Sequence, residues 1–204
     1  MSLSSEYGAL AEAIAADGWT IVPGFIESHL VSAMREECHR LVADSALRRA
    51  AIGSGPGRQT RSDIRSDDIV WLDEANATAA QRRCLDRFEA LRLVLNRELQ
   101  LGLFEFECHY SRYAPGAFYR KHLDQFRGGG RRRVSCVLYL NDDWPRDEGG
   151  ELRLHFDTGK AGKFEDVLPV GGTLALFLSE RFAHEVLPGK RERFSLAGWY
   201  RTRE

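Results

Sequence analysis

Two short stretches of this chain carry an imidazole and a carboxylate two residues apart, His122-Leu123-Asp124 and His155-Phe156-Asp157. On an extended strand such a pair points to one face, so both side chains can serve a single metal ion. The pair alone is a weak signal, because a chain with six histidines meets it readily by chance. A metal site that handles oxygen also needs another donor, and an anchor for whatever binds beside the metal. His184 is the candidate third donor for the first pair. It follows the apolar, strand-like run 173–178, with enough chain after Asp124 for intervening strands to bring it back. Arg193 and Trp199 stand shortly beyond it. Two histidines and one carboxylate leave half of an octahedron open, the arrangement suited to non-haem Fe(II) oxygen chemistry.

The elements that must carry these residues follow from periodicity. Phe104, Phe106, Cys108 and Tyr110 alternate with Glu105, Glu107, His109 and Ser111, and strand-like runs recur at 134–140, 151–156, 173–178 and 194–200. Turn-rich stretches such as Asp147-Glu148-Gly149-Gly150 separate them, a spacing that predicts a sandwich or jelly roll. The first half is helical in pattern. One helix has Leu10, Ile14 and Ala15 between a cap at Ser4-Ser5-Glu6 and a stop at Gly18, and a short strand, Trp19 to Val22, follows it. Leu30, Val31, Met34, Cys38, Leu41 and Val42 mark a second helix, and Cys84, Leu85, Phe88, Leu91, Leu95 and Leu99 a third. The fold class expected is α+β.

Composition narrows the function. With 29 basic against 30 acidic residues and a net charge of -1, the 204-residue chain has no excess charge with which to neutralise nucleic-acid phosphates or anionic lipid. No apolar run approaches a bilayer span and no charged-then-apolar leader pattern opens the chain, so a soluble, cytoplasmic protein without nucleic-acid or membrane partners is expected. Cys38, Cys84, Cys108 and Cys136 are scattered and read as reduced, buried thiols. The glycines of 52–58 lack the Gly-x-x-x-x-Gly-Lys pattern and a preceding strand, so they make an irregular surface loop that is a candidate cover for substrate. No Gly-x-Ser-x-Gly elbow supports a serine hydrolase.

The stretch from Tyr113 to Tyr200 resembles the catalytic domain of Fe(II)- and 2-oxoglutarate-dependent prolyl 4-hydroxylases, in the branch of the oxygen-sensing enzymes and their bacterial relatives. The marks are Tyr113-Ala-Pro-Gly116, His122-Leu-Asp124, Val137-Leu-Tyr-Leu-Asn-Asp-Asp-Trp144, Gly149-Gly-Glu-Leu-Arg-Leu154 and His184-Glu-Val-Leu-Pro188, then Arg193 and Trp199-Tyr200. Upstream, Ile64-Arg-Ser-Asp-Asp-Ile-Val-Trp71 resembles the segment that forms the family's substrate-facing loop. The resemblance implies a double-stranded β-helix, or jelly roll, packed against N-terminal helices. Residues 1–102 would be helical support and substrate-loop region, and residues 103–204 the dioxygenase core, in one structural unit.

By the same resemblance, His122, Asp124 and His184 hold Fe(II), and His155 and Asp157 are ordinary strand residues. Arg193 binds the distal carboxylate of 2-oxoglutarate, a task suited to a planar, permanently charged fork. Tyr139 and Tyr113 act as phenol donors and Ser195 adds a hydroxyl. Arg132, in the run Arg131-Arg132-Arg133, and Trp199 face the substrate. Dioxygen is the second cosubstrate and ascorbate a reductant. The implied reaction is hydroxylation of a prolyl residue in a protein or peptide, with release of succinate and carbon dioxide. Two alternatives stand beside it: a free amino acid or other small substrate, and a non-catalytic metal-binding sensor module. Oligomeric state is left open. His29, His39 and His109 have no comparable context and read as structural or exposed.

Overall fold

The structure is a computed structural model, and it describes residues 3–51, 59–125, 130–156 and 162–203. Among the described residues three α-helices and eleven strands follow in the order α1 (Leu3–Ala16), β1 (Trp19–Val22), α2 (Ser28–Ala43), β2 (Arg48–Arg49), β3 (Asp68–Trp71), α3 (Ala79–Leu99), β4 (Leu103–Tyr113), β5 (Tyr119–His122), β6 (Arg132–Tyr139), β7 (Leu152–His155), β8 (Phe164–Val167), β9 (Leu174–Leu178), β10 (Ala183–Val186) and β11 (Arg193–Thr202). The strands make two sheets. A seven-stranded sheet runs β1-β9-β6-β11-β4-β3-β2 and a four-stranded one β5-β10-β7-β8. Every pairing between named strands is antiparallel, which is the jelly roll expected from the alternating pattern. Strands β1, β2 and β3, all from before residue 103, extend the large sheet at both of its edges.

Alternation divides the large sheet. Tyr110, Leu138, Leu174, Leu176, Leu196 and Tyr200 pack on one side against Phe25, Met34, Phe88, Leu91 and Leu95 of the helical layer. The opposite side turns Tyr139, Ala175 and Phe177 toward Leu152, Leu154 and Val186 of the small sheet. The second layer is thinner, and it leaves room for the cavity described below. Helix α1 begins at Leu3, so Ser4 and Ser5 lie within it rather than capping it. The strands β5, β8 and β10 are each four residues long, too short for alternation to stand out in the sequence. Gly149 sits at φ 67°, and a Cβ there would lie 2.6 Å from the Pro188 carbonyl; the turn into β7 therefore requires glycine.

One polar cluster ties the helices to the sheet. Thr78 caps α3 with a reciprocal box: its hydroxyl accepts from the Gln81 N–H while the Gln81 side chain accepts from the Thr78 N–H. Those same side chains donate to Glu37 of α2, Thr78 Oγ1 at 2.6 Å and Gln81 Nε2 at 2.8 Å, and Tyr110 Oη of β4 donates to it at 2.9 Å. One buried carboxylate thus joins α2, the start of α3 and the central sheet. All four cysteines are free and buried. No helix among the described residues is long and apolar enough to cross a membrane.

Glu37→Ala leaves three donors without their charged acceptor and is expected to cost about 2–4 kcal/mol of unfolding free energy, read as a lower urea midpoint.

Candidate active site

Strand β10 lies beside β5 with His184 directly opposite His122, so the register of this one pair of strands brings two imidazoles together, ring centroids 4.3 Å apart. Asp124 stands in the bend just past β5, not on the strand itself, and its carboxylate reaches back between them. Its oxygens lie 3.6 Å from His122 Nε2 and 3.5 Å from His184 Nε2. The three donor atoms fall within 4.8 Å of one another.

Each ring is oriented from behind. His122 Nδ1 is 2.8 Å from the Arg120 carbonyl and His184 Nδ1 is 3.2 Å from the Phe182 carbonyl. A carbonyl only accepts, so each Nδ1 carries the proton and each Nε2 lone pair faces the shared space, the orientation a metal requires. Burial pushes the His184 pKa down to about 4 against the pull of Asp124, so this ring is neutral near pH 7. For Asp124 burial works the other way, but its attraction to the two histidines in their protonated forms and a hydroxyl from Ser135 outweigh it and hold the group well below the usual carboxylate range. Two imidazoles and one carboxylate are a donor set that fits a divalent transition metal.

His155 is out of phase with this arrangement. On the other side of β10, Leu154 pairs with His184 and His155 with Ala183, so His155 faces away and bonds Glu185 at 2.9 Å. Asp157 lies outside the described residues.

The three donors open into a cavity of about 890 Å³ between the sheets. At its inner end Arg193 begins β11, paired with Tyr113 of β4, while Ser195 pairs with Tyr139 of β6. Arg193 is only 2% exposed, with its guanidinium 4.9 Å and 5.1 Å from the Tyr113 and Tyr139 ring centres. Among the described residues its Nε and Nη2 and the Tyr139 hydroxyl have no hydrogen-bond partner, and no acidic side chain pairs with Arg193. A buried cation without an anion is costly, so the place is made for a carboxylate brought by a ligand. Tyr139, its pKa pushed up by burial to about 12, remains a phenol able to donate. A 2-oxo acid with a second, distal carboxylate fits these residues at both ends.

At the outer end Trp199 lies under Arg132, whose guanidinium sits 3.6 Å from the indole and whose Nε bonds Glu107 at 2.8 Å. Arg131 and Arg133 on either side are exposed.

Comparison with known proteins agrees with this geometry. The profile of the 2OG-Fe(II) oxygenase superfamily matches residues 108–201. A crystal structure of a Pseudomonas putida prolyl-4-hydroxylase superposes with a TM-score of 0.87 at 43% identity, over 97% of this chain and 100% of that one. The chain belongs to the 2OG-Fe(II) oxygenase superfamily. Fe(II), 2-oxoglutarate and dioxygen are therefore its cofactor and cosubstrates. Human Egl nine homolog 1 is 32% identical over 145 residues, 68% of this chain but 33% of that protein, so the oxygenase spans about a third of that relative's length. Human prolyl hydroxylase EGLN3 is 27% identical over 90% of this chain and 78% of its own. A Trichoplax adhaerens prolyl hydroxylase bound to a hypoxia inducible factor peptide shares the fold, with a TM-score of 0.86 at 22% identity over 98% of this chain and 90% of that one.

Several residues of the oxygenase cavity were not legible as such. His109, read as structural or exposed, is 3% exposed and lines the cavity, edge-on to Trp71 at 4.8 Å and 5.5 Å from Trp199. Its place on the face shared with Ser111 and Tyr113 was implicit in the alternation of β4. Arg65 is held by a two-pronged bond to Asp67, 2.7 Å and 2.6 Å, and stacks 4.2 Å from Tyr119, which in turn stacks on His122 at 3.6 Å. Nothing local in the sequence shows that residues 64–67 lie beside β5, where Ser66 and Arg120 exchange backbone bonds with Phe118 and Ile64.

Burial, then the charge of Arg65, pushes His109 down to about 4, below the usual 6.5. The unfolded chain then binds more protons than the native one between these values, so acidification destabilises the native state. Between about pH 7 and about pH 4.5, His109→Gln is expected to remove a loss on the order of 2 kcal/mol from the metal-free enzyme, measured as a flatter dependence of the urea midpoint on pH.

Proposed function

We propose that this oxygenase hydroxylates a prolyl residue in a protein or peptide substrate. The observation that carries the reading is that an unpaired, buried arginine and a His-Asp-His cluster open into the same cavity, on a chain 43% identical to a Pseudomonas putida prolyl-4-hydroxylase along that protein's whole length. Curated relatives include human prolyl hydroxylase EGLN3, and one structural neighbour is described with a peptide bound.

In this reading His122, Asp124 and His184 are the metal ligands. Fe(II), 2-oxoglutarate and dioxygen together supply the oxidation, in which one oxygen atom enters the substrate C–H bond and the other enters succinate as carbon dioxide leaves. The chain's own residues bind and orient. Arg193 and the Tyr139 hydroxyl hold the distal carboxylate, with Tyr113 and Ser195 beside them. Leu152, Val137 and Val186 line the cavity as an apolar wall and keep water from the reacting atoms. Arg132 on Trp199 forms the wall on which a peptide lies, the guanidinium held flat by Glu107 and free to meet backbone carbonyls with its remaining N–H groups.

Anaerobic loading with Fe(II), then addition of oxygen, 2-oxoglutarate and proline-containing peptides, tests the reading. The expected result is succinate in step with a peptide that has gained the mass of one oxygen atom. Succinate without peptide oxidation would move the substrate to a small molecule, and neither iron binding nor succinate would leave a non-catalytic module. His122→Ala and Asp124→Ala are expected to abolish turnover while His155→Ala retains it; full activity in Asp124→Ala sinks the ligand assignment. Arg193→Lys loses the planar fork and is expected to raise the KM for 2-oxoglutarate by roughly ten- to a hundredfold.

A further inference from the structure

The carboxylate of Asp124 is the one ligand not carried on a strand, so something other than sheet register must fix its rotation. Ser135 of β6 meets it: the hydroxyl lies 2.7 Å from Asp124 Oδ2. Behind Ser135 stands Ser179, just past the end of β9, with the two hydroxyl oxygens 2.8 Å apart. Both serines are buried, 1% and 0% exposed, on the side of the large sheet that faces the cavity, and the backbone N–H of Ser179 donates to the Arg133 carbonyl at 3.0 Å.

The direction of this chain of hydroxyls follows from valence. An ionised carboxylate only accepts, so the Ser135 proton points to Oδ2. The Ser135 oxygen is then left as an acceptor, and the Ser179 proton must point to it. The relay therefore runs one way, from Ser179 to Ser135 to Asp124. Among the described residues no hydroxyl or amide donates to Oδ1, which looks toward His122.

We propose that Ser135 and Ser179 are positioning residues that engage one oxygen of Asp124 and reserve the other for the metal. The inference rests on the metal site read above and deepens it. A carboxylate that gives one oxygen, together with two imidazoles, leaves three of six positions for a chelating cosubstrate and dioxygen; one that rotates to give both oxygens closes one of them. The relay also spans the barrel. It rides on β6 and the end of β9 in the large sheet and grips a ligand that belongs to the small one, so the metal site is braced from the side that carries Arg193.

Binding of Mn(II) alone, followed by the paramagnetic resonance of the free ion, tests this without turnover. Ser135→Ala is expected to weaken Mn(II) binding by about 10- to 100-fold, the usual effect of removing a group that orients a ligand, with the metal-free unfolding midpoint little changed. Ser135→Thr, which restores the hydroxyl on a strand that accepts a β-branched residue, is expected to recover most of the loss. Ser179→Ala is expected to weaken binding by a smaller factor, and the double alanine variant to bind no worse than Ser135→Ala, because Ser179 acts through Ser135. If Ser135→Ala does not fold, Ser179→Ala and its thermal midpoint decide. Wild-type affinity in folded Ser135→Ala, or in folded Ser179→Ala where the first variant is lost, would overturn the relay while leaving the metal site standing. Absence of Mn(II) binding in the wild type, or undiminished binding in Asp124→Ala, would instead overturn the site itself.

Discussion

The strict two-residue alternation of β4, β6 and β11 is the constraint on which the molecule rests. β11 is paired along its length on both sides, with Arg193 against Tyr113, Ser195 against Ser111 and Tyr139, and Trp199 against Glu107 and Ser135. Each of these residues stands on the cavity face, whereas Phe194, Leu196 and Tyr200, with Cys108, Tyr110, Cys136 and Leu138 of the neighbouring strands, belong to the helix-covered core. A slip of one residue in either pairing would turn the arginine, the phenol and the indole into the helical layer and bring leucines into the cavity. The apolar half of the alternation is therefore what aims the polar half. The burial of Phe88, Leu91 and Leu95 of α3 against this sheet supports the chemistry without touching it.

Electrostatics divides the cavity into two ends of opposite need. At one end a carboxylate is buried with two imidazole nitrogens beside it and a hydroxyl donating to one of its oxygens. At the other a guanidinium is buried with aromatic faces about it and, among the described residues, no acidic side chain paired with it. Either group alone would be an expensive thing to place in a core. Each makes sense when the cavity is filled, the first by a cation and the second by a carboxylate. A metal and a dicarboxylate cosubstrate thus complete the charge pattern that the fold leaves open.

How much of this could be seen in the sequence depended on the length of the element that carries it. The eleven residues of β4 and ten of β11 alternate long enough to be recognised, as do the helical stripes of α2 and α3. Four-residue strands do not. β5 and β10, which bring His122 and His184 together, have no pattern of their own, and resemblance to a family had to supply what periodicity could not. The choice between the two His-x-Asp pairs shows the reason. Both are locally equivalent, and what separates them is that Leu154 rather than His155 pairs with His184. That is a fact of register between distant segments. Arg65 on Tyr119, His109 between two indoles and Ser135 behind Asp124 were invisible for the same reason: each is ordinary by type and acquires its meaning from a neighbour far away in the chain.

The two ends of the cavity also belong to different sheets, and this has a consequence for precision. His122 and His184 are carried by the small sheet, Arg193, Tyr139 and Trp199 by the large one. The distance between the His-Asp-His cluster and Arg193 therefore depends on how the sheets pack. Phe177 of β9 meets the His184 ring edge-on at 4.8 Å, and with Leu152, Leu154 and Val186 it forms the thin layer that holds the sheets apart. Close-packed interiors yield little, so such a layer acts as a spacer with a definite thickness. The Ser135 to Asp124 bond crosses the same gap, a polar strut beside an apolar one. Arg65 adds a third link from outside, stacked on Tyr119 and through it on His122, which joins the segment before β3 to the His-Asp-His cluster. A ligand that bridged the His-Asp-His cluster and Arg193 would need that spacing to be rigid, and a jelly roll provides it because its two sheets can approach only as closely as the side chains between them allow.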